Sequence, residues 1–357
     1  MKILIISNMY PSLKDPVYGT FVELFVKQIS ELNEKRNTLF IVIKGREGNR
    51  AIKVWKYIKF YFSIVFVLLS QKFDLIYIHT ITYPIPPIRI VRLFKKLPLV
   101  FNVHGGDVLT RGKIATVLKE QSIPLLKEAK LVVSPSHFFK KVLLQEFPFL
   151  DSNKIYISPS GGVDSSFYAE IPQKRNECFS IGYVSRIDEA KGWDIFINAI
   201  ANLKVKGYNI HAYIVGRGKQ TKEMKNMIIN LSLSDYIDYL GPIPYNDLPQ
   251  IYSSLDLFVF PTQLEESLGL VGLEAMANSI PVIGSRIGGL TDYIKDNENG
   301  LFFNVGDSND LSRKIEQYIL LTPNEKQAFR KSAYETACLY SSEITKNNLY
   351  LKLKTIV

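Results

Sequence analysis

At 357 residues the chain has the length of two ordinary domains, and with 46% apolar and 22% charged residues and no low-complexity segment it is globular and not disordered. Its two cysteines, Cys178 and Cys338, lie far apart without metal-ligand spacing, which excludes a disulfide framework and favours a reducing compartment. The net charge of +10 resides entirely in the first half: residues 1–170 carry 24 Lys+Arg against 13 Asp+Glu, and the remainder 20 against 21.

The chain opens with Met1-Lys2-Ile3-Leu4-Ile5-Ile6-Ser7-Asn8, too short and too soon polar for a signal peptide and suited to a first buried strand, so a cytoplasmic location is expected. Short Val/Ile/Leu/Tyr runs follow at Lys2–Ser7, Leu39–Ile43, Leu75–His79, Leu99–Val103, Leu131–Ser134 and Lys154–Ser158, with helical periodicity between them, which predicts a doubly wound parallel sheet. Between the second and third runs, Phe60–Leu69 is apolar but far short of the roughly 20 residues that span a bilayer. Led by Lys53, Lys56 and Lys59, it reads either as a helix lying on a membrane surface or as a buried helix. Arg89, Arg92, Lys95 and Lys96 form a second basic cluster beside Leu93, Phe94 and Leu97. Such a face attracts anionic lipid or a lipid-linked phosphate; nucleic acid is not expected, because no nucleic-acid motif accompanies the charge.

Gly161-Gly162-Val163-Asp164, continued by Ile171–Asn176, reads as a linker. A second alternating series then runs through Phe179–Tyr183, Ala212–Gly216, Tyr236–Leu240, Leu257–Phe260, Pro281–Gly284 and Gly300–Asn304. The expected organisation is two tandem Rossmann-like α/β domains, 1–168 and 176–339, with a last helix near 340–357 crossing back onto the first.

Glu266 and Glu274, seven mostly small or apolar residues apart, straddle the loop between a buried strand and a helix, the edge at which open α/β sheets bind ligands. The N–H groups of Gly269, Leu270 and Val271 would form a helix N-terminus able to meet an anion, and the two carboxylates could take hydroxyl groups. Arg186 and Lys191, five apart on another strand-to-helix segment, are suited to clamp a diphosphate or are solvated surface charges. Gly216-Arg217-Gly218-Lys219 is not a P-loop, lacking both the earlier glycine and a following Ser/Thr.

Together with Gly19-Thr20-Phe21-Val22, His104-Gly105-Gly106-Asp107, Ser134-Pro135-Ser136, Ile214–Gly218 and Pro281-Val282-Ile283 followed by Gly288-Gly289-Leu290, these motifs stand in the order seen in one family. The chain resembles the family-four retaining glycosyltransferases (glycosyl transferases group 1) of bacterial surface-polysaccharide type, over nearly its whole length. The resemblance implies the GT-B fold, two Rossmann-like domains facing each other across a cleft. It implies that Arg186 and Lys191 bind the donor diphosphate, Glu274 the ribose, Glu266 the transferred sugar, and Gly19 with Gly269–Val271 the phosphates. It places His104 beside the donor sugar and leaves Asp107 either to contact sugar or acceptor hydroxyls or to cap a helix, with Thr20 a further acceptor-side candidate. It also implies retention by front-face displacement without a metal or other cofactor, and no Asp-x-Asp occurs in the chain.

The expected activity is transfer of a hexose or N-acetylhexosamine from a nucleoside diphosphate sugar, UDP before GDP-mannose, to a lipid-linked or glycan acceptor on the inner face of the cell membrane. A UDP-sugar epimerase of the same shape would lack the Arg186/Lys191 and Glu266/Glu274 set, and a non-catalytic scaffold would not need it. Ser267-Leu268 replaces a more frequent Gly-Phe beside the sugar pocket, and Asn278-Ser279 stands where the family usually has a glycine.

Overall fold

The computed structural model describes residues 1–15, 18–34, 37–110, 112–169 and 178–357. They divide into two compact units, Met1–Gly162 with Ile344–Val357, and Val163–Glu343. The linker expected over Ile171–Asn176 lies outside the described residues.

The first unit contains β1 (Ile3–Tyr10), α1 (Thr20–Leu32), β2 (Thr38–Lys44), α2 (Arg50–Ser70), β3 (Leu75–His79), α3 (Ile85–Arg92), β4 (Leu99–Asn102), α4 (Lys113–Glu128), β5 (Leu131–Ser134), α5 (His137–Glu146) and β6 (Ile155–Ile157). Its sheet is parallel in the order β2-β1-β3-β4-β5-β6. Side chains alternate across a strand, so Leu4, Ile6, Ile76 and Ile78 feed one core, whereas Ile3, Ile5, Leu75 and Tyr77 feed the other. The chain reverses its direction of winding between β1 and β3, which opens a crevice beyond their carboxyl ends.

Helix α2 buries one face of its apolar run and exposes the other. Asn49 caps it by accepting from the N–H groups of Ala51 and Ile52, and Phe60, Ile64 and Leu68 are buried against the sheet. On the opposite face Trp55, Ile58, Phe62, Phe66 and Leu69 are exposed.

The second unit contains β7 (Phe179–Val184), α6 (Trp193–Val205), β8 (Ile210–Val215), α7 (Thr221–Asn230), β9 (Ile237–Gly241), α8 (Leu248–Ser253), β10 (Leu257–Phe260), α9 (Leu270–Ala277), β11 (Val282–Ser285), β12 (Gly300–Phe303), α10 (Ser308–Ile319) and α11 (Pro323–Leu339). The parallel order is β12-β11-β10-β7-β8-β9, so winding reverses between β10 and β7, whose pairing aligns Leu257 with Ile181. Helix α12 (Ser342–Lys354) follows.

The unit boundaries differ from those read in the sequence. Residues 163–168 belong to the second unit rather than the first: the Val163 N–H donates to the Tyr340 carbonyl at 2.8 Å, and buried Phe167 packs on Tyr245 and Tyr252. At the other end, α12 buries Leu349 and Leu353 with Phe25, Ile29 and Tyr77, so from Ile344 onward the chain is part of the first unit.

Candidate active site

Lys191 and Glu266 follow β7 and β10, the two strands that flank the switch point of the second sheet. Between β7 and α6 the chain takes left-handed turns at Ala190 (φ 60°) and Gly192 (φ 77°). Any Cβ on Gly192 would stand 1.8 Å from the Pro261 carbonyl oxygen, so only glycine lets this loop lie against the end of β10. The Gln263 N–H donates to the Ala190 carbonyl, and the Tyr183 hydroxyl to that of Lys191. The result is a Lys191 Nζ to Glu266 Oε1 contact of 2.6 Å, with the lysine side chain 12% exposed. Thr262 Oγ1 donates to the same carboxylate oxygen at 3.1 Å.

The Glu266 loop is held from its other side by the Gly288-Gly289 pair. The Gly289 N–H donates to the Glu266 carbonyl at 2.7 Å, and a Cβ on Gly288 would lie 2.7 Å from the Glu266 nitrogen. Gly216 and Gly218 serve in the same way against the carbonyls of Ser185 and Ile187. These motif glycines therefore act by admitting backbone to backbone.

Arg186 does not join Lys191. Its guanidinium, 71% exposed, pairs with Asp188 at 3.0 Å, and Asp188 also accepts from the Lys219 N–H. The two cations read from the sequence as a diphosphate clamp thus stand in two separate ion pairs, Arg186 with Asp188 and Lys191 with Glu266.

Gly269, left-handed at φ 87°, precedes α9, and no side chain caps the helix; the Gly272 N–H donates to the Gly269 carbonyl at 3.1 Å, while those of Leu270 and Val271 have no intrahelical partner. Glu274 lies one turn further, 4% exposed, and accepts from the Tyr252 hydroxyl at 3.3 Å. Burial pushes its carboxyl up to about 7, against the opposing hydrogen bonds of Tyr252 and Tyr245. Neither tyrosine stood out in the sequence.

In the first unit, His104 follows β4 and is succeeded by Gly105 at φ 96°. Asp107 accepts the His104 N–H on one carboxylate oxygen at 2.9 Å and the Ile81 N–H on the other at 3.1 Å. It is buried, which raises its pKa, while these backbone bonds act to lower it. Asp107 therefore braces the loops after β3 and β4 and caps no helix, since α4 begins at Lys113 behind Gly112. His104 Nε2 lies 3.0 Å from Nδ1 of His79, and the Phe21 ring is 4.5 Å from its own. His79 was legible only as the end of a strand. Gly19, at φ 75°, presses on the backbone of Met9 and Tyr10 where a Cβ would stand 2.7 Å away, and Thr20 opens α1 exposed to solvent. Among the described residues no three His, Cys, Asp or Glu side chains are grouped to hold a metal ion, and no helix is long and apolar enough to cross a membrane.

Two family descriptions divide the chain almost without overlap: Glycosyltransferase Family 4 matches residues 21–165, and Glycosyl transferases group 1 matches residues 164–336. The chain belongs to the family-4 glycosyltransferases. This family-4 glycosyltransferase is 25% identical over 369 residues to an uncharacterized glycosyltransferase of Methanocaldococcus jannaschii, across 93% of the chain and 96% of that protein. It is 28% identical to the capsular polysaccharide biosynthesis glycosyltransferase CapM of Staphylococcus aureus, but over 58% of the chain and 54% of CapM. Its fold is that of HepE from Anabaena, solved in complex with UDP: the TM-score is 0.79 at 21% identity, covering 99% of this chain and 100% of that one. The family-4 enzyme thus has the two-domain GT-B fold, and Lys191, Glu266 and Glu274 lie in the segment matched by the group 1 description.

Proposed function

We propose that this glycosyltransferase moves a hexose or N-acetylhexosamine from a UDP-sugar to a lipid-linked or glycan acceptor in surface-polysaccharide assembly, with retention of configuration and without a metal. The observation that carries the reading is the Lys191–Glu266 contact at the switch point of the second sheet, in the same segment as the uncapped start of α9 and the buried Glu274. Lys191, Arg186 and the α9 N–H groups supply positive charge for a leaving diphosphate; Glu266 and Glu274 supply acceptors for sugar and ribose hydroxyls.

In front-face displacement the bond from the anomeric carbon to the phosphate oxygen breaks, the acceptor oxygen bonds to that carbon on the same face, and the acceptor's proton passes to the departing diphosphate. No protein nucleophile is needed. Positive charge at the diphosphate does most of the work.

The exposed apolar face of α2, led in sequence by Lys53, Lys56 and Lys59, supports a peripheral position on the inner face of the cell membrane, where a lipid-linked acceptor is presented. UDP-glucose, UDP-galactose, UDP-N-acetylglucosamine and GDP-mannose, each incubated with purified protein and membrane extract, test the whole reading. Release of UDP is expected, release of GDP alone would assign a mannosyltransferase of the same fold, and release of neither would overturn it.

A further inference from the structure

His79 and His104 meet through ring nitrogens, and that contact restricts what His104 can offer a ligand. His79 closes β3 at 1% exposure, surrounded by the rings of Phe21, Phe25 and Tyr77. Its Nδ1 is 3.0 Å from Nε2 of His104, with the ring planes within 9° of parallel. Burial lowers the pKa of both imidazoles, so at neutral pH each ring carries one proton, and one proton lies between them.

Two arrangements satisfy that count. If His104 Nε2 donated, the proton of His79 would sit on its own Nε2, a buried atom with no partner among the described residues. A buried N–H without an acceptor is the rarer and costlier orphan. If His79 Nδ1 donates, the orphan is instead an unfilled lone pair on that Nε2.

We propose that His79 is the positioning residue of His104, donating from Nδ1–H to Nε2 and fixing His104 as the Nδ1–H tautomer. The one nitrogen of His104 left for a ligand is then a hydrogen-bond donor. It suits an acceptor oxygen, such as that of a sugar hydroxyl or a phosphate, and it cannot take up a proton as a general base. The functional weight of this inference rests on His104 facing the ligand, as the proposed function has it; the tautomer does not.

The test is ¹⁵N–¹H correlation spectroscopy of the full-length protein labelled with ring-¹⁵N histidine at neutral pH, without donor. The chain has only four histidines, so His79 and His104 are assigned from His79→Asn and His104→Gln spectra. The expected wild-type signature is a protonated Nδ1 and bare Nε2 on His104. His79→Asn, whose amide N–H can stand where Nδ1 stood, should keep it; His79→Leu should shift His104 toward Nε2–H. A wild-type Nε2–H on His104, or a His104 signature unchanged by His79→Leu, would overturn the proposal. Where turnover of a sugar nucleotide is measurable, His79→Leu should lower kcat about 10- to 100-fold with His79→Asn restoring it, and equal turnover in both would overturn the positioning role. Because the spectra need no substrate, a protein that transfers nothing can still pass or fail this test.

Discussion

Lys191 Nζ and Glu266 Oε1, 75 residues apart in sequence, stand 2.6 Å apart. Under the proposed function, the cation that would meet the diphosphate is paired to the carboxylate that would meet the sugar, so a nucleotide at Lys191 would compete with Glu266. Replacing Glu266 by Gln removes the competing charge at nearly constant shape. Partly exposed ion pairs contribute a net of about 1 kcal/mol at most, so Glu266→Gln should bind UDP up to about fivefold more tightly while losing transfer. Isothermal titration with UDP and a turnover assay check the two halves. Lys191→Met should do the reverse for UDP, and should also destabilise the fold by about 1–2 kcal/mol by leaving a half-buried carboxylate without its cation. UDP affinity unchanged in both variants would separate this pair from nucleotide binding.

Glu274 ties stability to pH. Its unfolded carboxyl titrates near 4.5 and its folded one near 7, so between those values the unfolded chain releases a proton that the folded chain retains. Stability consequently falls as pH rises through that window, by about 3 kcal/mol in all, and is level below it. Glu274→Gln keeps an oxygen for the Tyr252 hydroxyl and removes the titration. Thermal melts should show the variant more stable than wild type at pH 8 and not at pH 4, whereas nucleotide affinity at pH 8 should drop. The same melting difference at both pH values would refute the buried-carboxyl account.

Strand positions were largely legible in the sequence because both sheets are parallel and buried on both faces, which leaves unbroken apolar runs. β3, β5 and β10 begin and end where those runs do. β1 outlasts its apolar run to Tyr10 because pairing of Tyr10 with Lys44, past a bulge after Ser7, extends it. In the site, the glycines and charged residues were visible one by one, but their partners were not. Gly192 against Pro261, Gly288 against Glu266, Asp107 against Ile81 and Glu274 against Tyr252 are tertiary contacts between segments that no local pattern connects. The division of Arg186 and Lys191 into separate ion pairs is of the same kind, decided by which carboxylate the folded loops bring near.

Ser279 occupies a backbone conformation meant for glycine. It follows α9 with φ +61°, in the turn before β11, and its hydroxyl is buried without a partner among the described residues. The departure from glycine noted in the sequence thus has a structural cost. Ser279→Gly should stabilise the protein by about 1 kcal/mol and raise Tm by about 2–4 °C, the gain being reduced somewhat by the freer unfolded chain. Ser279→Ala, which removes the hydroxyl but keeps the strained φ, should recover less. A glycine variant no more stable than wild type would mean that the turn has relaxed around serine.

The outer face of α2 gives the membrane reading its own test. Trp55, Ile58, Phe62, Phe66 and Leu69 recur at steps of three and four residues, which places them in one stripe along a helix whose opposite side is anchored by Phe60, Ile64 and Leu68. Phe62 is 71% and Phe66 62% exposed, so replacing both by Ser leaves the core untouched and the melting temperature within a degree or two of wild type. If the stripe enters the lipid interface, losing two phenyl groups should weaken binding to vesicles with anionic headgroups about 100-fold, at roughly 1.5 kcal/mol each. Lys53, Lys56 and Lys59, which lead the run in sequence, should make wild-type binding fall with added salt and with neutral lipid. Co-sedimentation across vesicle charge and salt measures both effects separately: a double variant that binds like wild type would remove α2 from the interface, and salt-independent binding would remove the lysines while leaving the apolar stripe.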